Sequence, residues 1–132
     1  MAPILEEYGC ILCWETFLGA RRFAKPGDIV ARCGDNQVFG MCYDTSHLAQ
    51  GVLDILEDFY KYGDITKVFH LSNWARRKGL HLPLRYREGV IDFRLSLEKL
   101  GQDFDGVGTL EYLGKYHNHL AQDALWENEF CY

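Results

Sequence analysis

The sequence contains no run of eighteen apolar residues, the length a helix needs to cross a bilayer, so no membrane span is expected. Its opening residues, MAPILEEYGC, hold acids where an export signal needs base. No export signal is read there, and a cytoplasmic location is the expectation. Base is scarce throughout: 14 Lys and Arg stand against 19 Asp and Glu, a formal net charge of −5. That balance excludes the broad basic face that a nucleic-acid backbone requires. The one basic cluster, 75-ARRKG-79 with Arg85 and Arg87 nearby, reads as a solvated helix face. A Gly-rich phosphate loop is also lacking. GVG in 105-DGVGTL-110 has neither the Lys-Ser/Thr of a P-loop nor the spacing of a dinucleotide loop. Prolines number three, and no repeat, low-complexity tract or linker interrupts the 132 residues. One domain spanning 1–132 is expected.

What is present is a globular composition, 48% hydrophobic and 14% aromatic, well above that of chains that stay disordered. Short Gly-bounded segments suggest an α+β domain, a small antiparallel sheet packed with helices. Residues 10–23, CILCWETFLGARRF, read as a short helix or buried segment ending near Gly19. In 25-KPGDIVARCGDNQVFGMCYD-44, two apolar runs flank Gly34-Asp35-Asn36, residues that tolerate positive φ, and predict a hairpin of strands 28–33 and 37–43. Leu48, Val52, Leu56 and Phe59 recur at helical spacing. Thr45 or Ser46 caps this helix at one end, and Lys61 and Gly63 close it at the other. The run 65-ITKVFHL-71 reads as a strand and 72-SNWARRKG-79 as a short Ser-capped helix. Pro83 weakens any strand at 80–84. The alternation of 90-VIDFRL-95 suggests a strand, and 105–125 suggests a helix carrying Val107, Leu110, Leu113 and Leu120 on one face.

Candidate chemistry is sparse. Cysteines stand at 10, 13, 33, 42 and 131, an odd number that argues against a disulfide framework. Cys10 and Cys13 have zinc-knuckle spacing, but Cys33 and Cys42 form no second knuckle, so these are taken as buried free thiols and no metal or other cofactor is expected. His117 and His119 diverge by about 200° on a helix and read as surface residues, and His81 as a core-edge residue. Asp103, Asp105, Glu111 and Asp123 are scattered and read as solvated charge. In 126-WENEFCY-132, Cys131 follows a polar turn. A thiolate there requires a histidine within reach, and His70 and His47 are the candidates.

The order of these segments resembles the circularly permuted papain-like folds, namely the lecithin:retinol acyltransferase family and related NlpC-type cysteine hydrolases. Pro26-Gly27-Asp28-Ile29-Val30 matches the opening turn and strand of that family. Val38–Asp44 matches the second strand, Val68-Phe69-His70-Leu71 the strand bearing a third polar residue, Gln102–Val107 the segment before the nucleophile, and Glu129-Phe130-Cys131 the nucleophile segment. The resemblance implies a papain-like fold with Cys131 as nucleophile and His70 as its partner. Gln37 occupies the position of the catalytic histidine, and glutamine cannot take a proton from a thiol. The expectation is therefore a papain-like protein that has lost or altered thiol hydrolase or acyltransferase activity and binds a protein or lipid partner. Two alternatives stay open: an active cysteine hydrolase or acyltransferase using Cys131 and His70, and an unrelated small viral or phage host-directed interaction protein.

Overall fold

A computed structural model describes residues 1–17, 25–49 and 51–128, with side chains to residue 125. Its centre is a four-stranded sheet in the order β1-β2-β3-β6, every pair parallel. The strands are β1 (Leu12–Glu15), β2 (Phe39–Asp44), β3 (Thr66–Leu71) and β6 (Val107–Leu110), and between β3 and β6 lies a separate antiparallel pair, β4 (Asn73–Ala75) and β5 (Gly79–Leu82). A short helix α1 (Ala2–Glu7) precedes β1. Helix α2 (Pro26–Cys33) links β1 to β2, α3 (Thr45–Leu48) and α4 (Val52–Tyr62) link β2 to β3, and α5 (Phe93–Asp103) precedes β6. A 3₁₀ turn at Gly114–His119 leads into α6 (Leu120–Asn128).

Parallel strands require crossovers, and the helices supply them. The order in space is the order in the chain, with no reversal. A doubly wound sheet reverses at a switch point, whereas successive strands of a βα barrel keep turning one way. The small antiparallel sheet expected from sequence is thus replaced by a run of βα units.

The hairpin expected over 28–33 and 37–43 is absent. Pro26 fixes a helix-compatible φ at the first helical position, and Pro26, Ile29 and Cys33 are buried along one face. Gly34, at φ 54°, ends the helix in the left-handed region. The alternation at 90–95 is also not a strand. Asp92 caps α5 by accepting from the amides of Arg94 (3.1 Å) and Leu95 (3.4 Å). The expected helix at 72–79 is instead the β4–β5 hairpin, turning at Gly79 with φ 92°. The expected helix over 105–125 divides into β6, the 3₁₀ turn and α6, since Gly106 and Gly108 disfavour helix. The segment expected as a helix at 10–23 contains β1, and residues 18–23 lie outside the described ones. The strand at 65–71 is present as β3, and 52–62 of the long helix as α4.

One face of the sheet packs on helices. Met41 and Tyr43 of β2 and Phe69 and Leu71 of β3 join Ile29, Ile55, Phe59, Leu97 and Leu100 in one buried cluster. Strand side chains alternate between faces, so Cys42, Asp44, Val68 and His70 point the other way. In-register neighbours share a face. Glu15 lies beside Cys42, Asp44 beside His70, and His70 beside Thr109, two positions before Glu111. The fold thus carries Glu15, Asp44, His70 and Glu111 to the C-terminal ends of four adjacent strands, on the face away from the helices.

Candidate metal centre

Asp44 is the most deeply placed of these groups, with no solvent exposure. Its Oδ1 accepts from the Ser46 amide (2.8 Å), the Ser46 hydroxyl (3.0 Å) and the His47 amide (3.2 Å), which caps α3. Its own amide donates to Thr16 Oγ1 at 2.8 Å. With Oδ1 and the backbone held, Oδ2 is buried without a hydrogen bond. Burial pushes the Asp44 carboxyl up from its usual range, and the nearby His47 and the Ser46 bond offset this only in part.

The other groups close around that oxygen. His70 Nδ1 lies 3.2 Å from Glu15 Oε1 and 2.8 Å from Glu111 Oε2. The second contact is short but out of line, so Glu111 Oε2 is also buried without a hydrogen bond. Donor atoms of Glu15, Asp44, His70 and Glu111 all lie within 4.8 Å of one another. Ligands on opposite sides of one ion at 2.0–2.3 Å stand roughly 4–4.6 Å apart, so this span suits a single cation. Asp44, His47 and His81 form a second such group around the same aspartate. His47 Nδ1 is 2.9 Å from the Thr16 carbonyl and acts as its donor, which turns Nε2 toward His81 Nε2 at 3.3 Å. His81 Nδ1 is 3.4 Å from Ser72 Oγ, and its backbone sits at φ 54°, a strained conformation for a non-glycine residue.

The donor set fits a divalent cation. Among the described residues two buried carboxylate oxygens lack a hydrogen bond, and both belong to this cluster. Three carboxylates converge there, a repulsion that a bound cation relieves. Oxygen and imidazole donors without sulfur suit magnesium, manganese, cobalt or zinc.

The xylose isomerase-like TIM barrel family has a sequence model that matches residues 1–130. The chain belongs to that family. Its strand order and the placement of the site at the strand C-termini agree with barrel architecture. A solved D-tagatose 3-epimerase-like protein is similar in fold, with a TM-score of 0.64 and 21% identity over 97% of this chain and 52% of that one. The chain therefore spans about half the length of that protein. No curated protein matches.

Membership in this family overturns the papain-like resemblance and with it the thiol hydrolase or acyltransferase, its inactive binding-module form, and the viral or phage interaction protein. The motifs that carried the resemblance are short, and PGDIV opens a helix here rather than a strand. Of the residues proposed for thiol chemistry, His70 stands in the acidic cluster. Gln37 precedes β2, at the opposite end of the strand from Asp44, and Cys131 lies outside the described residues. Cys10 is exposed and Cys13 half-buried, and burial raises the Cys13 thiol. Burial and the adjacent Glu15 and Asp44 push Cys42 up to about 12, so this thiol stays protonated. Glu111, read as solvated charge, is a site residue, and Asp123 is 2% exposed. His81, read as a core-edge residue, faces His47, and His117 is exposed as expected. The missed site residues had one readable signal: each polar residue closes an apolar run that could be a strand, as in 12-LCWE-15, 39-FGMCYD-44 and 107-VGTLE-111. Among the described residues no helix is long and apolar enough to cross a membrane.

Proposed function

We propose that this chain carries the cation-binding wall of a sugar isomerase or epimerase, with Glu15, Asp44, His70 and Glu111 as the ligands of one divalent ion. The observation that carries this reading is the convergence of four donors from four parallel strands around two buried, unbonded carboxylate oxygens. Family membership and the likeness to a D-tagatose 3-epimerase-like protein support sugar chemistry in particular. A bound divalent ion supplies a Lewis acid that polarises a carbonyl and acidifies the adjacent C–H. The remaining work falls to side chains. Asp44 is fixed by its cap bonds and orients the site. Glu15 and Glu111 are half-exposed, each with side-chain exposure of 41%, and both reach His70 Nδ1. Glu15 meets His70 through Oε1, leaving Oε2 to take a proton from carbon and to return one. His47, fixed by Thr16, holds its Nε2 against His81 Nε2 and so orients that histidine beside Asp44.

Calorimetric titration with manganese or cobalt tests the proposal. One ion per chain should bind the wild type, and Asp44→Asn should weaken binding at least tenfold, the lower end of the loss that follows altered metal surroundings. A ketohexose incubated in deuterated water with the loaded protein should gain deuterium beside its carbonyl, read by NMR. Absence of saturable binding by the wild type would sink the proposal.

A further inference from the structure

Asp123 has no part in the cluster, yet it is 2% exposed. A buried carboxylate persists only when its lone pairs are satisfied, and its partners here come from two separate segments. Oδ2 accepts from the Tyr112 hydroxyl at 2.7 Å and from the Leu84 amide at 3.2 Å, while Oδ1 accepts from Arg85 Nε at 2.9 Å. The Leu84 amide also lies 3.1 Å from the Tyr112 hydroxyl. A further bond joins the same segments, from the Leu113 amide to the His81 carbonyl at 3.0 Å. Tyr112 directly follows Glu111, and Leu84 stands three residues after His81. Helix α6 therefore fastens the segment leaving β5 to the segment leaving β6, and each segment carries one cluster residue beside its fastened point. His81 Nδ1 and Glu111 Oε1 are 3.8 Å apart across that junction.

We propose that Asp123, acting through Tyr112 and Leu84, is the positioning residue that sets Glu111 of the cation site against His81 of the neighbouring group. This inference rests on the metal-centre reading for its functional consequence, but its geometry can be read without a metal. His81 holds a left-handed backbone, which persists only where surroundings over-determine it. The bond from Leu113 at the His81 carbonyl and the Asp123 clamp at Leu84 supply that constraint.

The test uses two variants of the full chain. Tyr112→Phe removes one hydroxyl and keeps the ring, and Asp123→Asn removes the charge and keeps the shape. Cobalt affinity should fall about tenfold in Tyr112→Phe and further in Asp123→Asn, as for residues that orient ligands without touching the ion. The visible spectrum of any bound cobalt should shift as Glu111 moves. Without metal, the Leu113 amide should exchange faster in both variants while β2 and β3 amides keep their protection. A wild type that binds no cobalt defeats the metal-centre reading alone, and Leu113 exchange then decides this inference by itself. Unchanged Leu113 protection in a folded Tyr112→Phe protein overturns it. So does cobalt affinity within twofold of a wild type that binds.

Discussion

Asp44 shows how one side chain can serve two purposes that oppose each other. Its Oδ1 stabilises the fold by capping α3, and its Oδ2 destabilises it by burying charge beside Glu15 and Glu111. Asp44→Asn keeps an oxygen for the cap and removes the charge. Leaving a buried acceptor unsatisfied costs about 1–3 kcal/mol, and more when it is charged, so the metal-free variant should melt several degrees above the metal-free wild type, as measured by calorimetry. Manganese should narrow or reverse that order, because the wild type binds it at least tenfold more tightly and so gains more stability from it. His81 belongs beside Asp44 at this scale. Its positive φ lies at the site, where backbone strain tends to be tolerated for function.

At the scale of elements, much depended on whether a segment carries one period or two. The α4 helix was readable because Leu48, Val52, Leu56 and Phe59 recur at helical spacing, and β3 because 65-ITKVFHL-71 is bounded and β-rich. The segment 26-PGDIVARC-33 satisfies both periods over so few residues that Gly-Asp-Asn after it suggested a turn between strands. Its buried Pro26, Ile29 and Cys33 decide for helix. In 90-VIDFRL-95 the cap mattered more than the alternation, since Asp92 satisfies two amides that would otherwise be left free. Asp92→Ala should cost about 1 kcal/mol, visible as a lower urea midpoint with an unchanged slope. Parallel strands hid for a related reason. Fully buried ones read as continuous apolar runs, but here one face of each strand ends in a ligand, which interrupts the run.

For the molecule as a whole, the site was illegible because its ligands stand at 15, 44, 70 and 111 and meet only through topology. No spacing rule joins them, and each acid alone resembles surface charge. The same topology leaves β1 and β6 at the borders of the described sheet, with Trp14 42% and Val107 59% exposed. Border strands pair on one side only. Their amides should therefore exchange faster with deuterated water than those of β2 and β3, as followed by NMR, and equal protection across all four strands would show that the borders are covered in solution.

The consecutive strand order has a consequence for how such a protein can change. One unbroken stretch of chain, from Glu15 to Glu111, encodes all four donors of the cluster found among the described residues, and one further segment, around Asp123, braces it. Recombination or fusion outside that stretch leaves the donors untouched. The donor set is then inherited as one module.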